Sequence, residues 1–294
     1  MNTRDFEYFL ELTDTRNFSQ TAEKFAVSQP TITAAIKRLE DHFQAQLIIR
    51  DRRHHEISVT PAGEQLASHA AIILHQLDLA KQDIAWDQKS KIRFGLPPII
   101  GSYLFPKIAV DLIAAGLMPQ LETFEAGSAA LLDQIKDGNL DFALLGASGP
   151  LVDPELHVIQ IDTAPFVIIT AENDPLAQQS HVSFATLADR QFITLSEGFV
   201  HTRAFSWFQQ QQTFTPKVVY RTGDVLLLKR LVTQNVGIGF LTKIAIHADD
   251  HLASLKIDEP KQPAFTISFV YRQDRVLTPT MNRFAQILSA PKVV

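Results

Sequence analysis

Ser28-Gln29-Pro30-Thr31-Ile32-Thr33-Ala34-Ala35-Ile36-Lys37-Arg38-Leu39-Glu40 is the stretch on which the reading of this chain turns. Ser28 stands where a helix needs an N-cap, since its hydroxyl can accept from a first-turn N–H. Pro30 falls in the first turn, where a missing N–H costs nothing. Ile32, Ile36, Leu39 and Phe43 recur at steps of four, three and four residues, the spacing of one buried helical stripe. The other face carries Gln29, Thr31, Thr33, Lys37 and Arg38, which are small, hydrogen-bonding or cationic. A short helix anchored on one side and polar on the other fits a DNA major groove. The expectation is the recognition helix of a helix-turn-helix. Ser28, Gln29, Pro30, Thr31 and Thr33 would lie at the groove, with Lys37 and Arg38 on phosphate or base edge.

The flanking sequence supports that motif. Phe6, Phe9, Leu10 and Thr13 share a face over residues 4–15, a first amphipathic helix. Asn17-Phe18-Ser19 breaks it, and a second short helix runs through Phe25. The connection Ala26-Val27-Ser28 is short enough to set two helices at a steep angle. Gln46 to Arg50 and Glu56 to Val59 read as a small hairpin, a wing whose tip is Asp51 to His55. Arg50, Arg52 and Arg53 on it would meet DNA backbone or minor groove. For each arginine the alternative is an ordinary solvated or salt-bridged surface charge.

Thr60-Pro61 is a helix start, Thr as N-cap and Pro at the first helical position. Leu66, Ala70, Ile73, Leu77, Ala80 and Ile84 then follow at spacings of 4, 3, 4, 3 and 4, a heptad seam that suits a dimerising coiled coil. Packing of that seam on its own domain is the alternative. Beyond Ser90 strands alternate with helices. Strands are expected at Ile92–Leu96, Leu121–Phe124, Asp141–Leu145, Phe166–Ile169, Gln191–Thr194, Val218–Arg221, Gly237–Leu241 and Phe265–Tyr271. Such alternation implies parallel α/β sheets with helices on both faces, and about 200 residues suits two lobes with a cleft between them.

Composition excludes several classes. The 294 residues are 46% hydrophobic and 20% charged, an ordinary globular balance. With no cysteine there is no disulfide framework, thiolate metal site or cysteine nucleophile. The formal charge of −5, with eight Lys/Arg against nine Asp/Glu over residues 1–60, lends a nucleic-acid role no support beyond local clusters. The N-terminus has no apolar signal region, and no apolar run approaches the roughly 18 residues of a membrane span. A cytoplasmic protein without membrane contact is expected. His247-Ala248-Asp249-Asp250-His251 spaces two histidines at i and i+4 but lacks the glutamate of a zinc protease, so no metal is assigned. There is no P-loop, nucleophile elbow or dinucleotide fingerprint, hence no catalytic residue and no cofactor.

Asn17-Phe18-Ser19, Ala22-Glu23, Val27-Ser28-Gln29-Pro30-Thr31, Arg38-Leu39-Glu40 and Val59-Thr60-Pro61-Ala62-Gly63-Glu64 together resemble the LysR-type transcriptional regulators. Leu104-Phe105-Pro106, Gly138-Asn139-Leu140-Asp141, Asp174-Pro175-Leu176 and Gly237-Ile238-Gly239 extend the resemblance over essentially the whole chain. Departures are Ala34-Ala35 where the family often has Ser-Arg or Ser-Gln, Gln44 for a glycine, and Thr242 for a proline. The resemblance implies a winged helix-turn-helix (1–60), a linker helix that dimerises (61–89), and a two-lobed effector domain (90–294) similar to the periplasmic binding proteins. Lobe one would be 90–162 and 268–294, lobe two 163–267. It implies double-stranded DNA, a small-molecule effector, a second copy of the chain in a dimer or tetramer, and RNA polymerase as partners. Ser102, Gly127, Ser128, Ser196, His201 and Thr202 would face the effector. Helix N-termini there favour an anion such as a carboxylate, although each serine could simply cap its own helix. Asn17 to Thr33 is also similar to the malolactic fermentation regulators of lactic-acid bacteria, which would make malate the effector. An enzyme or transport-type binding protein on the same cleft, and a regulator without ligand, are the competing readings.

Overall fold

The computed structural model describes residues 1–51, 56–87, 89 and 91–290, so the wing-tip arginines Arg52 and Arg53 lie outside the described residues. It divides into two compact units, Met1–Ala85 and Trp86–Val294.

In the first unit, α1 (Thr3–Thr15), α2 (Phe18–Lys24) and α3 (Gln29–Phe43) precede a hairpin of β1 (Ile48–Asp51) and β2 (Glu56–Val59), and α4 (Pro61–Asp87) follows. Asn2 caps α1 in a capping box with Asp5, and Asn17 accepts from the N–H groups of Ser19 and Gln20 to cap α2. Phe6, Phe9, Leu12, Phe18, Ile32, Ile36 and Leu39 close one core, with Ala35 buried inside it. Ala35 is therefore small because α3 packs closely there, and it never faces outward. Phe43 ends the helix 44% exposed, outside the expected stripe. The turn between α2 and α3 holds Ala26 at φ 52°, a left-handed conformation that a side chain disfavours. Glu40 of α3 accepts from the N–H groups of Leu47 and Ile48, which fixes the entry into the hairpin. Thr60 accepts from Gly63 N–H at 3.0 Å and donates to the Gln46 carbonyl. A Cβ on Gly63 would lie 2.4 Å from the Leu47 carbonyl oxygen, so α4 can start against the hairpin only with glycine there.

Along α4 the expected seam divides. Leu66 and Ala70 are buried in the core of their own unit and are not available for dimerisation. Ile73 (40%), Leu77 (36%) and Ile84 (66%) are exposed, as is Ala80 between them.

The second unit is one ten-stranded sheet flanked by helices. In chain order it holds β3 (Ile92–Gly95), α5 (Pro98–Ala114), β4 (Leu121–Phe124), α6 (Ser128–Lys136), β5 (Phe142–Ala147) and β6 (Leu156–Ala171). Next come β7 (His181–Val182), β8 (Gln191–Leu195), α7 (Val200–Gln210), β9 (Lys217–Thr222), α8 (Val225–Thr233), β10 (Ile238–Thr242), β11 (Leu252–Ile257), β12 (Ala264–Arg272) and α9 (Pro279–Ser289). The strand order is β4-β3-β5-β12-β6-β10-β8-β9, with β11 and β7 branching from β6. The outer pairs β3–β4, β3–β5, β8–β9 and β8–β10 are parallel, as the alternation predicts. The middle of the sheet is antiparallel instead: β12 runs against β5 and β6, and β10 and β11 run against β6. The first ten residues of β6 pair with β12 and its last six with β10 and β11, so this single 16-residue strand serves both ends of the sheet.

Aromatic rings fill the interior. Phe166 stacks on Phe240 at 5.2 Å, and Phe142 on Phe269 at 5.3 Å. Buried among them is an ion pair. Arg93 gives Asp141 a 2.7 Å bond through Nη2 and a second through Nε, and donates through Nη1 to the Gly138 carbonyl. The indole of Trp86 lies over the Arg93 guanidinium at 4.5 Å, and Arg275 bonds Asp87 at 2.6 Å. The final turn of α4 is thereby fastened to β3 and to the segment after β12.

Replacing Ala26 with glycine removes the left-handed penalty at the α2–α3 turn, offset in part by glycine's greater unfolded entropy. The helix-turn-helix unit of Ala26→Gly should gain about 1 kcal/mol in urea unfolding. No gain, or a loss, would show the turn to be unstrained.

Candidate nucleic-acid interface and ligand cleft

The start of α3 presents Ser28, Gln29, Pro30 and Thr31 to solvent, and Lys37 follows two turns later, also exposed. Ser28 is the N-cap, but its hydroxyl makes no capping bond and pairs with the Thr31 hydroxyl at 2.9 Å. Both hydroxyls thus stay at the surface, while the Thr31 N–H is spent on the Ser28 carbonyl at 2.9 Å. Thr33 is half-buried, 3.5 Å from Nη2 of Arg50. The Arg50 guanidinium lies 3.8 Å over the Phe18 ring, held at the side of α3.

Arg38 differs from expectation. Its Nη2 bonds Asp5 Oδ1 at 2.5 Å and its Nε bonds Oδ2 at 3.2 Å, while Asp5 Oδ2 also accepts from the Asn2 N–H. Burial alone would raise the Asp5 pKa; the Arg38 and Asn2 hydrogen bonds outweigh it and hold the carboxyl below its ordinary value. Arg38 serves first as the clamp between α1 and α3. Among the described residues, Lys37 on this helix face bonds no carboxylate.

In the second unit three helices begin at one place. α5 starts after Pro97, α6 after Gly127 and α7 after Phe199, and none of the three has a side-chain cap. By contrast, Asp224 caps α8 and Thr278 caps α9. Pro97, Pro98, Ile99, Ile100, Gly127, Ser128, Gly198, Phe199, Val200 and His201 surround an inner chamber of about 30 Å³, closed on one side by Phe265. It adjoins an outer cleft of about 510 Å³, which shares Ser128 and the 198–200 loop and adds Ser148, Glu197, Thr202 and Arg203. Unpaired first-turn N–H groups and the positive ends of helix dipoles favour an anion at such a spot.

Four of the six expected residues line this space: Gly127, Ser128, His201 and Thr202. Ser128 accepts from Gly146 N–H at 2.9 Å, leaving its own hydroxyl proton to spend. Thr202 donates to the Ser196 carbonyl and holds the loop turned, with Gly198 at φ 92°. Two expected residues are not part of the lining. Ser102 sits exposed a turn into α5 and donates to the Ile99 carbonyl, while Ser196 enters through its backbone, bonded to Thr222 and Thr202. Sequence reasoning missed Glu197 and Phe199 in the loop before α7, and Val200 and Arg203 in its first turn beside His201 and Thr202. The Asp250 carboxylate between His247 and His251 is engaged by Lys229 at 2.7 Å.

His201 is 2% exposed, between Phe166 and Phe265. Its Nε2 accepts from the Thr242 N–H at 3.1 Å. Burial lowers its pKa from 6.5 to about 3. The unfolded chain therefore takes up a proton below about 6.5 that the folded chain refuses until about 3. Stability falls on acidification through that window, by about 1.4 kcal/mol per pH unit.

The family description "LysR substrate binding domain" matches residues 87–290, and "Bacterial regulatory helix-turn-helix protein, lysR family" matches residues 3–64. The chain is 32% identical to the malolactic fermentation system transcriptional activator of Lactococcus lactis over 99% of both chains. It is 28% identical to the DNA-binding transcriptional dual regulator OxyR of Escherichia coli over 99% of this chain and 94% of that one. Among solved structures, the Corynebacterium glutamicum OxyR C206 mutant aligns with a TM-score of 0.57 at 23% identity, covering 98% of this chain and 92% of that one. The effector-binding domain of QuiR, in complex with shikimate, aligns with a TM-score of 0.59 at 19% identity over 67% of this chain and 94% of that one.

Between pH 7.0 and 5.0 the wild type should lose about 2 kcal/mol more stability than His201→Gln, measured as the urea transition of the sheet unit. Equal losses would mean that His201 is protonated in the folded state.

Proposed function

Because the chain belongs to the LysR family of transcriptional regulators, and is a DNA-binding regulator with an effector-binding domain rather than an enzyme, we propose that its effector is a small carboxylate. The observation that carries this is the meeting of three uncapped helix starts at one enclosed chamber. The outer cleft has room for the body of a small ligand, and Arg203 at its wall suits a second negative group. The role of the Lactococcus lactis relative in malolactic fermentation supports malate, a dicarboxylate, and with it a malolactic operon as target.

Operator reading rests on Gln29, Thr31 and the hydroxyl of Ser28, with Lys37 on phosphate. Arg50, and Arg52 and Arg53 of the wing, would add backbone or minor-groove contacts. The exposed stripe Ile73, Leu77, Ala80 and Ile84 is the part of α4 left for a second copy, since Leu66 and Ala70 are used internally. Dimers or tetramers so formed would act on RNA polymerase at the promoter.

In a thermal-shift series of organic acids, amines and neutral sugars, malate or a related carboxylate should raise the melting temperature. At a hundred times its Kd the gain is about 2.7 kcal/mol. Stabilisation by amines or sugars with none from any carboxylate would sink the reading. For the operator, Gln29→Ala should weaken specific binding about tenfold and leave non-specific binding alone. Lys37→Ala should weaken both and lower the salt dependence by about one phosphate contact. The reverse pattern in a salt-titrated binding assay would exchange the two roles.

A further inference from the structure

One residue of the chamber wall, His201, carries a buried ring nitrogen that is unpaired among the described residues. A backbone N–H can only donate, so the Thr242 N–H at 3.1 Å obliges His201 Nε2 to be the acceptor. In a neutral imidazole the proton then resides on Nδ1. That atom is buried and has no hydrogen-bond partner among the described residues. His201 lines the 30 Å³ chamber, next to Ser128, whose hydroxyl oxygen is occupied by Gly146 N–H and whose proton is therefore free to donate. A buried N–H without a partner is a standing penalty that an incoming acceptor removes. The chamber has room for about two water-sized groups, the bulk of one carboxylate and less than that of a phosphate.

We propose that His201 Nδ1–H is the hydrogen-bond donor for the innermost oxygen of the effector, and that it restricts the chamber to a group that only accepts and is no larger than a carboxylate. The inference rests on the carboxylate reading above and adds to it the residue that selects. His201 Nδ1–H can only donate, the Ser128 hydroxyl can donate its proton, and the three helix starts offer N–H groups as well. An ammonium or amide NH₂ at that end would meet no carboxylate among the lining side chains and would leave the His201 donor unpaired. Because Thr242 fixes the tautomer through its backbone, the donor does not depend on which side chain stands at position 242.

Full-length protein labelled with ¹⁵N-histidine tests this by long-range ¹H–¹⁵N correlation, with His201 assigned by its loss in His201→Gln. The free protein should show Nδ1 protonated and Nε2 bare. Sodium acetate or malate should then move the Nδ1–H proton downfield and slow its exchange with water, whereas inorganic phosphate should not. By calorimetry His201→Phe, and His201→Gln should that variant not fold, is expected to bind malate about tenfold more weakly. A proton on Nε2 in the free protein would overturn the proposal. So would acetate and malate that shift the amides of Ser128 and Val200 while Nδ1–H stays still, or phosphate that moves Nδ1–H as malate does. If neither carboxylate moves any cleft amide, the carboxylate reading itself fails and takes this one with it.

Discussion

One strand belongs to both halves of the sheet, and the cleft depends on it. β6 gives its first ten residues to β12 and its last six to β10 and β11, while β12 is bonded to β5 and β6 together. The halves are therefore joined through main-chain ladders rather than flexible linkers. The β6–β12 ladder is irregular near Asp162–Pro165 and Ala264–Ile267, where Pro165 removes a donor and the register slips after Ile267. Helix starts from the two halves meet over that crossing: α5 and α6 from one, α7 from the other. A group bound to all three bears on both halves at once, which is what a two-state element needs if a ligand is to bias it.

Capping shows where the chain leaves bonding capacity unspent. α1, α2, α8 and α9 start under an Asn, Asp or Thr side chain, and Thr60 does the same for α4. α3, α5, α6 and α7 do not. These four are the helices that face DNA or the cleft in the reading above. Omitting a cap costs about 1 kcal/mol of helix stability, and a bound phosphate or carboxylate can return it.

Much of this was legible in the sequence, because periodicity and punctuation are local. The three N-terminal helices, the hairpin, the Thr60-Pro61 start and the outer parallel strands follow from spacing alone. What was not legible required the other half of a contact. Nothing around Arg38 reveals that its partner is Asp5, 33 residues earlier, or that Ala35 is buried rather than merely small. Phe43 has the right spacing for the core and lies where the helix has already left it. The first half of β6, with Gln160, Asp162, Thr163 and Pro165, is too polar and too interrupted to announce a strand; it is held by pairing with β12. For the cleft, the loop and helix starts could be found, but Ser102 was one turn too far along α5, and which serines spend their hydroxyls internally is a tertiary fact. The heptad spacing is present as a pattern, but its first two positions are covered by the chain's own core.

The fastening of Trp86 and Asp87 to Arg93 and Arg275 has a mechanical side. A straight helix of 27 residues is about 40 Å long at 1.5 Å per residue. Its last two residues, Trp86 and Asp87, are held within the sheet unit by the Arg93 guanidinium and by Arg275. Helix ends are ordinarily where a chain frays first; this one ends on a cation–π contact and an ion pair, so its terminus opens only together with the sheet edge that supplies them.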